Sequence, residues 1–196
     1  NSDFSQRALV HSDQIEWQPS PMPGVDRRML DRIGGEVARA TTIVRYAAGS
    51  HFSEHTHTGG EEFVVLEGVF SDEHGDWPAG TYLLNPEGFR HAPFSREGCL
   101  LFVKLRQYPG RHRPQLRVDT RAASWEPYAA PGVQRLPLYS EATHPESMHL
   151  LRIEPGADIP TVELSGGEEL LVLEGDLADE FGDDIVDGDD AGDSSV

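Results

Sequence analysis

The sequence contains one cysteine, Cys99, which excludes a disulfide framework within the chain and any cysteine-based zinc knuckle. A cytoplasmic location is therefore expected. No run of about 18 apolar residues is present to span a bilayer, and no charged-then-apolar stretch near Asn1 resembles a secretion signal. Asn1 is not Met, so a start that has been trimmed or that lies upstream is expected. Basic residues are scarce, with 16 Lys and Arg against 34 Asp and Glu and a net charge of -18. Such a surface repels a phosphate backbone, which argues against nucleic acid and against an anionic membrane as partners. The 3.6-residue spacing of a long amphipathic helix is also missing, as are a Gly-x-Ser-x-Gly elbow, a phosphate loop and a dinucleotide fingerprint.

What the chain does have is short apolar runs punctuated by Gly, Pro, Asp and Asn, the pattern of strands joined by turns. An all-β chain is expected, with strands near 42–47, 62–66, 81–84, 99–105, 149–153 and 169–173. Length allows one large domain or two small ones, and an internal repeat favours two. The stretch His55-Thr-His57-Thr-Gly-Gly-Glu61-Glu62-Phe-Val-Val-Leu-Glu-Gly68 returns 107 positions later as Val162-Glu-Leu164-Ser-Gly-Gly-Glu168-Glu169-Leu-Leu-Val-Leu-Glu-Gly175. Trp17 with Pro23-Gly24-Val25 is echoed by Trp125 with Pro131-Gly132-Val133. The turn-rich Tyr108-Pro-Gly-Arg-His-Arg-Pro114 marks the boundary. The expected organisation is a metal-binding domain over residues 1–110, a degenerate second repeat over 111–182 and an acidic tail over 183–196. The tail carries Asp183, Asp184, Asp187, Asp189, Asp190 and Asp193 without a Lys or Arg, and reads as solvated. The second repeat dissolves into that tail where the first continues, so an incomplete second barrel with an open sheet edge is expected, and with it a homodimer.

Residues at i and i+2 of a strand share a face, so His55 and His57 can both point into a barrel. Glu61 lies just past the flexible Gly59-Gly60 turn, and His91 follows the turn Pro86-x-Gly88. Three imidazoles and a carboxylate suit one borderline divalent metal such as Zn, Fe, Mn, Ni, Co or Cu, and do not suit Ca or Mg.

The pattern Gly49-x5-His55-x-His57-x3-Glu61-x6-Gly68, followed by Gly80-x5-Pro86-x-Gly88-x2-His91, resembles both motifs of the cupin superfamily. The resemblance implies a six- to eight-stranded antiparallel jelly-roll barrel, a double-stranded β-helix, holding one metal ion. Ser95 stands where the second motif ends with a structural Asn. Among cupins, the run with Val-Leu-Glu-Gly-Val-Phe-Ser-Asp-Glu-His-Gly and Trp-Pro-Ala-Gly-Thr-Tyr is similar to the cupin domain of the ChrR anti-sigma factors, over about residues 1–107 with a weaker echo beyond. That resemblance implies Zn first, with Fe, Mn and Ni compatible, and a part in the response to singlet oxygen and organic peroxides. The family's helical module with His-x3-Cys-x2-Cys, which holds the sigma factor, has no match here.

The repeat also supplies an internal control. Glu168 and Glu169 persist where Val162 and Leu164 replace the histidines, so Gly-Gly-Glu-Glu can serve a turn, and Glu61 is a weaker ligand candidate than His55, His57 and His91. His74 and Phe181 occupy equivalent hairpin positions, and Cys99 opens an apolar strand as a small core residue. Phe52, Tyr46, Tyr82, Phe89 and Phe102 are candidates to wall a metal pocket, and His51, Glu54 and Tyr82 are the weak candidates for a base that is not a ligand. Three functions stay open: a regulatory or sensor module answering an oxidant or small ligand and signalling to a protein partner, a metal-dependent enzyme such as a dioxygenase, or, ranked third, a barrel that binds a small ligand without chemistry.

Overall fold

The computed structural model of the chain describes residues 3, 5–107, 112–144, 146–179, 181–182 and 184–186. The boundary residues 108–111, together with Asp183, Asp187, Asp189, Asp190 and Asp193 of the acidic run, lie outside the described residues. Among the described residues there are seventeen strands and one 3-10 turn, Ser12–Gln14, and no helix is long and apolar enough to cross a membrane.

The first repeat contains β1 (Gln18–Pro19), β2 (Val25–Gly34), β3 (Ala38–Tyr46), β4 (Ser50–His51), β5 (His55–His57) and β6 (Glu61–Asp72). It continues with β7 (Gly75–Pro78), β8 (Thr81–Asn85), β9 (Phe89–His91), β10 (Phe94–Ser95) and β11 (Cys99–Leu105). The second repeat contains β12 (Leu116–Asp119), β13 (Glu126–Pro127), β14 (Val133–Ser140), β15 (Ser147–Ile153), β16 (Asp176–Ala178) and β17 (Asp184–Val186). All pairings are antiparallel, and the main sheet runs β2, β3, β11, β6, with β8 on the far side of β6. The β12 strand of the second repeat pairs with β8, so one half covers a sheet edge of the other.

Period-2 alternation explains the unbroken apolar runs 63–66 in β6 and 82–84 in β8. Phe63 and Val65 point inward with Leu83, joining Val25, Tyr46, Phe70, Cys99, Leu101 and Val103 in the first core. Val64 points outward with Tyr82 and Leu84, and meets Leu136, Leu138 and Tyr139 of the second repeat in a separate core. A stretch buried on both faces has no polar side, so residues 63–66 of β6 read as a continuous run. Tyr82 and Phe102 lie in the same cross-strand row as Val64, which places them on the outer face and corrects their assignment to the metal pocket.

At Gly68 the backbone φ is 69°, and a Cβ there would sit 2.1 Å from the Gly98 carbonyl oxygen. Only glycine allows this close crossing of β6 and β11.

In the second repeat β14 and β15 repeat the β2–β3 hairpin, and β16–β17 repeats the hairpin that joins β6 to β7. The latter hairpin reaches three residues, 184–186, into the stretch assigned to the acidic tail. The strand expected over 169–173 does not form, and Val162, Leu164, Leu170 and Leu173 are exposed. The physical reason is the ladder. Glu61 to Val64 have β8 on one side and β11 on the other, whereas among the described residues no strand flanks the repeated copy. Glu169 is tied instead to Lys104 of β11 by an ion pair. The turn ahead of it survives intact. Gly60 N–H donates to His57 O at 3.3 Å and Gly167 N–H to Leu164 O at 3.1 Å, with φ of 73° and 77° at the two glycines.

Candidate metal centre

The centre is assembled by the β5–β9 ladder, whose register sets His55 opposite His91 and His57 opposite Phe89. The three imidazoles form a near-equilateral group, with ring centres 4.6 Å apart for His55 and His57 and 5.0 Å apart for each of the other pairs. One ring nitrogen from each lies within 4.8 Å of the others. His55 Nδ1–H donates to Ser53 O at 2.8 Å, which leaves Nε2 with a lone pair. His57 Nε2 and His91 Nε2 lie 3.0 Å apart.

Glu61 opens β6 and turns inward. Its Oε2 lies 3.4 Å from His57 Nε2 and 3.8 Å from His91 Nε2, and it accepts a hydrogen bond from Asn85 Nδ2 at 3.2 Å. The structure thus brings His55, His57, His91 and Glu61 together. Bonds of about 2.1 Å hold neighbouring ligands about 3.0 Å apart at a right angle and about 3.4 Å apart at a tetrahedral angle, so the His57–His91 and His57–Glu61 spacings match those of neighbouring ligands on one transition-metal ion. Nitrogen with one carboxylate oxygen suits a borderline cation.

Two residues of the site escaped the sequence reading. Asn85 holds the Glu61 carboxylate, and Asp72 reaches His91. The Asp72 Oδ2 lies 3.3 Å from His91 Nδ1, both side chains being 1% exposed. The Asp72 Oδ1 accepts from the His74 backbone N–H at 2.8 Å and from Trp77 Nε1–H at 3.3 Å. Burial opposes charge on His91, yet the bonded Asp72 and the nearby Glu61 carboxylate outweigh it and hold the imidazole above its ordinary value. Burial dominates at His57 and, with the neighbouring imidazoles, holds it below that value despite Glu61. Burial likewise works against the charged form of Asp72, but its hydrogen bonds to His91, His74 and Trp77 win and keep it below the usual carboxylate range.

Phe52 and Phe89 flank the imidazoles, with ring centres 5.0 Å from His55 and 5.4 Å from His91. Tyr46 belongs to the core against Phe70 at 5.9 Å. The Tyr82 hydroxyl donates to Glu62 Oε2 at 2.8 Å on the outer face, so Tyr82 is not a base for this site. Glu54 is exposed and paired with Arg90, and His51 sits opposite Phe94 on β4. Ser95, in place of the usual Asn, binds β10 to β6 through its hydroxyl and Val69 O at 2.7 Å. His149, on β15, lies beside Tyr128 with the rings tilted and their centres 6.0 Å apart.

Antiparallel sheets with three histidines gathered on a pair of short strands agree with the cupin class that the two motifs imply. The chain belongs to the ChrR cupin-like domain family, whose profile matches residues 5–109 and 113–189. The putative glyoxylate-induced protein of Pseudomonas aeruginosa has a similar fold, at TM-score 0.65 and 13% identity over 88% of this chain and 72% of that one. The anti-sigma protein ChrR of Rhodobacter sphaeroides, solved with SigE, aligns at TM-score 0.41 and 24% identity over 47% of this chain and half, 50%, of that chain. A putative acetylacetone dioxygenase from Methylibium petroleiphilum aligns at TM-score 0.47 and 20% identity over 59% of this chain and 92% of that one. No curated protein matches the chain in sequence.

Proposed function

We propose that the chain is a metal-binding regulatory module of the ChrR-like cupin type, which holds one divalent transition metal, Zn first, through His55, His57, His91 and Glu61. The observation that carries this reading is the 3.0 Å approach of His57 Nε2 to His91 Nε2 beside the Glu61 carboxylate in a buried site. A bound metal supplies a Lewis-acidic centre whose ligand shell an oxidant or small ligand can alter. The chain's own residues do the rest. Ser53 O and Asp72 fix the outer nitrogens of His55 and His91, so that the inner nitrogens face one point. Phe52 and Phe89 dry the flank. Glu61 and Glu62, adjacent on β6, face the metal and the second repeat respectively, which offers a short route from an altered site to a surface that a protein partner reads.

The buried thiol of Cys99 accords with a cytoplasmic setting. The exposed Val162, Leu164, Leu170 and Leu173 support a homodimer, with sedimentation of the purified chain as its check.

The test of the main reading is elemental analysis of protein purified without chelators and then loaded. One metal per chain is expected, lost in the double variant His55→Ala with His57→Ala. Stoichiometry near zero, or an unaffected double variant, refutes it. A second reading, a metal-dependent dioxygenase, is favoured by the half-buried position of His55 beside Phe52, where a small molecule can approach. Oxygen uptake with small diketones decides between them, turnover with bound Fe marking an enzyme and Zn without turnover a sensor.

A further inference from the structure

The Asp-Glu-His-Gly hairpin after β6 has a counterpart after β16, and the two carboxylates at equivalent places share a turn hydrogen bond on one oxygen and differ in what their second oxygen meets. In the second repeat Asp179 Oδ1 accepts from the Phe181 backbone N–H at 2.9 Å, the same turn bond that Asp72 Oδ1 makes with His74 at 2.8 Å. Asp179 Oδ2 then turns to solvent-facing Arg7, whose Nε lies 3.0 Å away. Asp72 Oδ2 turns inward to His91 Nδ1 at 3.3 Å. The turn therefore accounts for one oxygen of Asp72, and nothing in the turn requires the other.

We propose that Asp72 is a positioning residue of the metal centre, which sets the His91 tautomer by accepting its Nδ1–H and so keeps a lone pair on Nε2 for the metal. This rests on the metal-binding reading of the site. A carboxylate is acceptor-only, so it admits only the Nδ1–H form of the ring. An imidazole with its proton on Nε2 would present a hydrogen to His57 Nε2 and Glu61, and could not ligate there. Both N–H groups on Asp72 Oδ1, from His74 and Trp77, are donors, which leaves no freedom to exchange the two oxygens' roles in an amide replacement.

That geometry makes Asp72→Asn a sharp probe. The side-chain oxygen stays on the two donors and preserves the turn, while the amide N–H faces His91 Nδ1 and demands a lone pair there. The proton moves to Nε2. Nitrogen-15 NMR of the metal-free protein at pH 8.5 is expected to show His91 protonated at Nδ1 in the parent and at Nε2 in Asp72→Asn. Zinc affinity, by competition with a chromophoric chelator, is expected to fall between about 10-fold and 100-fold in Asp72→Asn. Asp179→Asn, with the same turn chemistry, is expected to bind zinc as the parent does, and both variants to keep the parent's thermal midpoint in the metal-free state. An unmoved His91 proton overturns the assignment, as does a loss of affinity equal in Asp179→Asn. If the parent bound no zinc, the metal reading would fail by itself, and the tautomer measurement would still decide the role of Asp72.

Discussion

The Arg113 guanidinium of the second repeat lies 3.6 Å from the Glu62 carboxylate of the first and covers the Tyr139 ring at 4.4 Å from its centre. Glu62 also accepts from Tyr82, and Arg113 reaches Glu146 at 3.3 Å, so five side chains lock the two halves together out of water. Removing one partner of a buried ion pair strands the other. Arg113→Met is expected to lower the unfolding free energy by about 3 kcal/mol in urea titration, with metal stoichiometry unchanged.

Metal removal tests the centre from the stability side. Metal at 100 times its dissociation constant is expected to stabilise the chain by about 2.7 kcal/mol relative to the chelated form, seen as a higher thermal midpoint. Glu61→Gln keeps the hydrogen-bonding shape but removes the charge, and is expected to weaken binding at least tenfold, about 1.4 kcal/mol, without abolishing it. An affinity equal to the parent's would remove Glu61 from the ligand set.

Burial pushes the Cys99 thiol up to about 11, although a hydrogen bond with Ser95 opposes the shift. The thiolate is the reactive species. Native protein at pH 8 is therefore expected to leave a disulfide reagent unreacted over hours, and to consume one equivalent once unfolded. Rapid native labelling would contradict the burial.

Asp31 carries a cost. Its carboxyl is held above the usual range, first by burial and against the pull of Arg39 at 3.6 Å, and its Oδ1 has no hydrogen-bond partner among the described residues. A raised folded value means that the ionised group destabilises the fold at neutral pH, and that the cost fades as pH falls through that value. Asp31→Asn is expected to add on the order of 1 kcal/mol at pH 7 and nothing near pH 3, measured by urea unfolding at both.

Two glycines at equivalent places make an internal comparison. Gly68→Ala brings a methyl against the Gly98 carbonyl oxygen at a φ of 69°, while Gly175→Ala meets open space at a φ of 81°. Gly68→Ala is expected to cost about 3 kcal/mol or more, and Gly175→Ala about 1 kcal/mol, the strain of the backbone alone.

The strands of the first repeat and its three clustered histidines were legible because the histidines sit at strand spacing and the strands between them are bounded by Gly and Pro. Glu61 was weighed as a shared element, and the turn that Gly59-Gly60 makes ahead of it recurs at Gly166-Gly167, hydrogen bond included. Asp72 was hidden for the same reason. Its match, Asp179, makes the same turn bond, so comparing the two halves could not reveal that one oxygen had a second task. Tyr82 was misplaced because β8 is apolar on both faces, and period 2 does not say which parity faces the histidines. The 169–173 stretch has every strand propensity, yet a strand exists only through its neighbours.

The row Val64, Tyr82 and Leu84 is the party wall of two dwellings. Heating the whole chain is then expected to give a single calorimetric peak for both repeats, and a proteolytic fragment that ends near the boundary would bare a greasy outer wall and clump, however sound its histidines.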